Sequence, residues 1–188
     1  MKRILATLAA LLALAAPLAS HADSYSDTVN LFKKAGQSAT FFDTAYGYAV
    51  FPNIGKGGVG VGGAYGKGRV YAQGQYVGDT SMTQLSVGLQ LGGQGYSQIV
   101  FFQDERSYKE FTGGNFEFGA EASAVAITAA ASAKGSTGGS SAGASAGKND
   151  AVAAGKYNKG MATFTIAKGG LMYEASISGQ KFKYKPKA

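Results

Sequence analysis

The sequence predicts a mainly β, single-domain protein: an antiparallel sheet closing into a barrel or sandwich, with an N-terminal helix and one short internal helix. Three observations carry this reading. Gly58-Val59-Gly60-Val61-Gly62 alternates strictly, and a period of two marks a strand. Thr83 to Leu91 alternates over a longer run: Leu85, Val87, Leu89 and Leu91 share one side, and Gln84, Ser86, Gly88 and Gln90 the other. That pattern predicts a sheet with one dry face. Helical signals are short and gather near the N-terminus and after Asp104.

Taken in order, Lys2-Arg3 is a basic head, Ile4 to Leu18 an Ala/Leu-rich core, and Ser20-His21-Ala22 a small-x-small cleavage site. This is the pattern of a secretory signal peptide, too short to serve as a permanent anchor. The expectation is export to the periplasm, with peripheral association with a membrane as an option there, residues 1–22 removed and residues 23–188 forming one domain. Ser24 to Ala35 predicts a helix, with Ser24 as its cap, Asp27 three residues on, and Tyr25, Val29 and Phe32 on one face. Lys33 and Lys34 close it, where cations suit the helix dipole. A short second helix is expected over Ser38 to Ala45.

Tyr48-Ala49-Val50-Phe51 is an apolar strand stopped by Pro52, and a turn is expected over Asn53 to Lys56. The alternating glycines that follow offer a face without side chains, which predicts that a ring or another backbone comes close there. Tyr65-Gly66-Lys67-Gly68 reads as a turn leading to a return strand, Arg69-Val70-Tyr71. Gly58 to Gly63 satisfies the letters of a dinucleotide-binding G-x-G-x-x-G, but no helix follows to face a pyrophosphate, so that site is excluded. Gly66-Lys67 is no phosphate loop either, because Gly68 stands where Ser or Thr is required.

Gly78-Asp79 predicts a turn, and after Gly92-Gly93 the run Tyr96 to Phe102 predicts a strand. Asp104 caps a short helix through Phe111, with Glu105 and Lys109 spaced as an i,i+4 pair worth about 0.2–0.5 kcal/mol. Gly113-Gly114 ends it. Asn115 to Ile127 reads as one long strand, and residues 129–155, rich in Ala, Ser and Gly, as a mobile loop that buries little. Met161 to Ala167, Leu171 to Ile177 and Lys181 to Tyr184 complete the sheet. In the last of these, Lys181, Lys183 and Lys185 share one face and Phe182 and Tyr184 the other. Such lysines either guard an edge strand against association or form a basic stripe for phosphate headgroups.

Composition narrows the chemistry. The chain has no Cys and one His, and that His21 departs with the signal peptide. Nucleophilic triads and His- or Cys-based metal sites are therefore not expected. Glu117 and Glu121 share a strand parity but lie roughly 13 Å apart along a strand, beyond the reach of a glycosidase pair. No metal, cofactor or enzymatic activity is expected. The formal net charge of +7 falls by two when Lys2 and Arg3 leave, which still suits an anionic surface. With Arg69 and Arg106 as the remaining arginines, nucleic acid is not an expected partner.

The stretch Tyr48-Ala49-Val50-Phe51-Pro52-Asn53-Ile54-Gly55-Lys56-Gly57-Gly58, then Val61-Gly62-Gly63-Ala64-Tyr65-Gly66-Lys67-Gly68, resembles the SYLF lipid-binding domain family. Three later pieces agree in order: Ser86 to Gln94, Phe116 to Ala120, and Lys168 to Met172. The resemblance spans roughly the whole of residues 23–188. It implies a lipid ligand. Relatives bind phosphoinositides and some bind actin; for an exported bacterial protein anionic phospholipid is the natural substitute. The expectation is a non-enzymatic periplasmic protein contacting anionic phospholipid or a membrane surface through Lys56, Lys67, Arg69, Lys181 and Lys183. Two alternatives stand beside it. One is a small outer-membrane β-barrel, for which few runs reach the roughly 9–11 residues required. The other is a structural or assembly protein that uses exposed Gly-rich strand edges, its oligomeric state open.

Overall fold

A computed structural model of the chain describes residues 23–88, 94–120, 122, 124–127, 156–168 and 177–188. The expected signal peptide, the Gly92-Gly93 turn, the 129–155 loop, Leu89, Leu91, Glu121 and the strand from Leu171 up to its last residue, Ile177, lie outside the described residues.

Helix α1, Ser24–Lys34, is capped one residue earlier than expected: Asp23, not Ser24, is the N-cap, and its carboxylate accepts from the Tyr25 amide at 3.3 Å. Thr28, Val29 and Phe32 are buried beneath it. The expected second helix is two single turns, α2 (Gly36–Ala39) and α3 (Phe41–Thr44). The buried Ser38 hydroxyl donates to the Phe32 carbonyl at 2.6 Å and so ties α2 back to α1.

Strand β1, Gly47–Ala72, folds back along itself. Its first arm pairs with β3 (Gln94–Phe102) through Gly47 to Lys56, and its second pairs with β2 (Gln75–Gly88) through Gly60 to Ala72. The two arms lie side by side. A Cβ at Gly66 would sit 3.0 Å from the Asn53 carbonyl oxygen, and one at Gly68 would sit 2.9 Å from that of Val50 and 2.6 Å from the Phe51 ring. Close approach over bare glycine therefore occurs at Gly66 and Gly68, in the stretch read as a turn and outside the alternating Gly58–Gly62 run for which it was expected. The reversal falls between Lys56 and Gly60, where Gly58 has φ 147°. The turns expected at Asn53–Lys56 and Tyr65–Gly68 are strand instead, because ladder pairing to β3 and β2 claims both. Gly78-Asp79 likewise lies inside β2. The hairpin turns at Gln73 (φ 49°) and Gly74 (φ 78°), positive angles that a two-residue hairpin demands.

Helix α4, Glu105–Thr112, has the expected Asp104 cap, which forms a full capping box with Ser107; the Glu105–Lys109 ion pair closes at 2.8 Å. After it come β4 (Asn115–Glu117), β5 (Val125–Ile127), β6 (Met161–Lys168) and β7 (Lys181–Pro186). The sheet runs β4-β7-β2-β1-β3-β6-β5, with both arms of β1 at the centre.

This corrects three expectations. The sheet does not close into a barrel, since β4 and β5 are three-residue edges that do not pair with each other, and among the described residues no second sheet makes a sandwich. It is mixed, because β5 runs parallel to β6. Asn115–Ile127 is not one strand. Phe118 turns inward onto Phe116 and Phe182, at 5.1 and 5.5 Å between ring centroids, so the chain leaves one edge and rejoins the sheet at the other. In place of a second sheet, helices and aromatic rings cover the faces. On one face Phe111 of α4 packs on Phe102 and Phe182, both at 4.9 Å, in a core that includes Phe51, Ile54 and Met82. On the other, Val29, Phe32 and Phe41 of the N-terminal helices pack on Val50, Ile99, Phe101 and Phe164.

Candidate functional site

The N-terminal helices cover only half of their face. The residues they bury there belong to the first arm of β1, to β3, β5 and β6. Beyond the contacts of Asp23 and Tyr25 with Arg69, no described element covers the half built from the second arm of β1, β2, β7 and β4, and cross-strand register sets what it displays. One row is Tyr65, Thr83, Lys181 and Glu117; the next is Lys67, Ser81, Lys183 and Asn115; the third is Arg69, Asp79 and Lys185. Leu85, opposite Gly63, continues the same face. Tyr65 is 51% exposed and Leu85 85% exposed. The expected burial of Leu85 is therefore overturned: Met82 and Thr80, of the other parity, point into the core.

Of the residues singled out in the sequence, Lys67, Arg69, Lys181 and Lys183 come together here, joined by Lys185. Lys67 and Lys183 stand two strands apart, roughly 10 Å. Lys56 does not join them. It pairs with Gln94 near the β1 reversal and shares the parity of core-facing Ile54, so its side chain leaves from the opposite face.

Arg69 is engaged within the fold. Its guanidinium meets the Asp23 carboxylate at 2.6 Å and lies 4.2 Å from the centre of the Tyr25 ring. Burial acts to lower its pKa, but the hydrogen bonds and charges of Tyr71 and Asp23 override this and raise it. The clasp fastens the start of α1 to the sheet. Beside it opens a cleft of about 260 Å³ lined by Ser24, Tyr25, Asn53, Tyr65 and Lys67. Lys168 donates to the Asn53 side chain at its rim. The cleft is rich in hydroxyl, amide and ammonium donors.

Among the described residues, the acids on the bare half-face are Asp79 and Glu117. Asp79 accepts from the Tyr76 hydroxyl at 2.8 Å, and Glu117 lies 3.5 Å from Lys181. Lys67, Lys183 and Lys185 have no ion pair among the described residues. No cluster of three or more His, Cys, Asp or Glu suited to a metal occurs among them either. The surface can hold anions and, through Tyr65 and Leu85, apolar groups. Sequence reasoning found its lysines from alternation in β7. It missed Tyr65 by assigning it to a turn, and Leu85 by assigning it to the core.

Comparison with known proteins gives two matches. The family described as Ysc84, a Las17-binding protein actin regulator, matches residues 83–188. The chain is also similar to Beta cell expansion factor A of Aeromonas veronii, 30% identical over 166 residues. That match covers 82% of this chain and 51% of the relative, so the chain spans about half the relative's length.

Proposed function

The chain belongs to the Ysc84 (SYLF) domain family, and from that premise we propose that it is a non-enzymatic protein that docks on anionic phospholipid through the bare half-face of its sheet. The observation that carries this is one surface where exposed Tyr65 and Leu85 stand among Lys67, Lys181, Lys183 and Lys185. Lysines near an anionic membrane contribute about 1 kcal/mol each. An exposed leucine adds part of the roughly 1.5–3 kcal/mol available on full burial. Tyrosine suits the interface, having an apolar body and a polar tip. The Lys2-Arg3 head, apolar core and Ser20-His21-Ala22 site support a periplasmic location. The cleft under the start of α1 sits at the margin of this surface, where a headgroup can meet Lys67.

Co-sedimentation with vesicles tests the proposal. The purified protein should pellet with phosphatidylglycerol-containing vesicles, stay in solution with phosphatidylcholine alone, and be released as salt shortens the screening length. Equal and negligible pelleting with both lipids overturns it.

A further inference from the structure

We propose that the Asp23–Arg69 contact is a releasable clasp: on docking, a lipid phosphate takes the place of the Asp23 carboxylate on Arg69, and Arg69 joins the lysines as a headgroup ligand. The proposal rests on the membrane-docking reading and adds a gate to that same surface. Arg69 stands on the basic half-face, two residues along β1 from Lys67 and in one row with Asp79 and Lys185. The lattice of the sheet sets its Cα roughly 7 Å from that of Lys67 and roughly 10 Å from that of Lys185. In the free protein its guanidinium is taken by an acid from a helix: Asp23, the cap of α1, reaches it at 2.6 Å.

The contact suits exchange. A guanidinium fork pairs with carboxylate and with phosphate in the same bidentate geometry, so one anion can replace the other. The Arg69 and Asp23 side chains are 34% and 44% exposed, and an ion pair so open to water contributes little. The second tie of the Asp23 carboxylate, its cap on the Tyr25 amide, is 3.3 Å long, beyond the usual range of an N–H···O bond. Arg69 keeps a support on the sheet when the acid swings away, because the Tyr76 ring of β2 has its centre 5.4 Å from the guanidinium. Asp79 faces Arg69 across the ladder, but its carboxylate accepts from the Tyr76 hydroxyl at 2.8 Å. A membrane dense in negative charge attracts Lys67 and Lys185 and repels the Asp23 carboxylate beside them, and both effects favour the exchange.

The test measures partitioning onto phosphatidylglycerol-containing vesicles for the wild type, Asp23→Asn, Arg69→Gln and the double variant. Asp27→Asn is the matched control, since it removes one exposed acid from the first turn of the same helix. Asn caps a helix about as well as Asp, so Asp23→Asn removes the charge of the clasp and keeps the helix start. It should raise vesicle affinity about fivefold, the worth of one more free cation at the surface. Arg69→Gln alone should lower affinity. In the Arg69→Gln background, Asp23→Asn should raise affinity no more than Asp27→Asn does, because groups in contact couple while independent charges add. Urea midpoints check that each variant is folded; should Arg69→Gln unfold, the comparison of Asp23→Asn with Asp27→Asn decides. A gain in Asp23→Asn no larger than that in Asp27→Asn, the same gain without Arg69, or no loss in Arg69→Gln overturns the clasp and leaves docking standing. A wild type that binds no vesicles overturns docking, and the clasp with it.

Discussion

If the bare half-face is the docking surface, the position of its lysines matters and not merely their number. The triple variant Lys67→Gln, Lys183→Gln, Lys185→Gln isolates this. Lys67 and Lys183 lie in one row across β1, β2 and β7, and Lys185 is two residues further along β7. All three fall within roughly 12 Å of one another, close to one screening length at moderate salt, so a membrane meets them as one field. None is tied to an acid among the described residues, whereas Lys181 shares its charge with Glu117. At about 1 kcal/mol per lysine, removing three should weaken partitioning onto anionic vesicles by about 3 kcal/mol, roughly 150-fold. The control is Lys33→Gln with Lys34→Gln at the end of α1, outside this surface. Those cations favour the helix dipole and cost some tenths of a kcal/mol of stability each, but vesicle affinity should change by less than about threefold. If net charge alone governed binding, the pair would lose about 2 kcal/mol, roughly 30-fold. Vesicle titration at two salt concentrations reads both variants. Equal loss per lysine in the two sets refutes the assignment of the face, as does a triple variant that binds like wild type.

Three further outcomes are expected. Leu85→Ser should leave the urea midpoint within about 0.5 kcal/mol of wild type, because an exposed side chain has little packing to lose, yet it should lower vesicle affinity several-fold. Gly68→Ala should destabilise by about 2–3 kcal/mol in urea unfolding, because the new methyl would lie 2.6 Å from the buried Phe51 ring; Gly57→Ala, with nothing within 4 Å, should stay near neutral, and equal effects at the two sites would refute the close-approach account. Burial holds the Tyr48 phenol up at about 12 in the folded protein, above its ordinary value of 10. A group whose pKa rises on folding adds stability that is complete below the unfolded pKa and is lost above it. The urea midpoint should therefore fall between pH 10 and 12, by about 1–2 kcal/mol after allowing for the half-exposed ring, and Tyr48→Phe should flatten that fall.

What was legible in the sequence is what short-range chemistry decides. Asp104 caps α4 because an Asp followed by a helical run satisfies the first free amides whatever the tertiary context. The β7 alternation survives because Phe182 has a core to enter and its lysine neighbours do not. The β1 reversal was not legible for the opposite reason. Glycines recur from Gly55 to Gly68, so several places permit a turn, and the choice is made by distant partners: Tyr48 stacked on Tyr71 at 5.1 Å, and Phe51 lying over Gly68. Leu85 fails for a related cause. Alternation reports that a strand has two unlike faces, but which face is covered depends on how far the covering elements reach. An 11-residue helix is about 16 Å long, while the sheet from β4 to β5, counting both arms of β1, is roughly 33 Å wide. Helix α1 and the two short turns after it cannot cover that width, and Arg69 fastens α1 at its start. The shortfall strands Leu85 and Tyr65 in solvent beside the lysines of β1 and β7. The same geometry that defeats the local reading of Leu85 therefore creates, among the described residues, a surface where an apolar group and a cation can be offered to a membrane together.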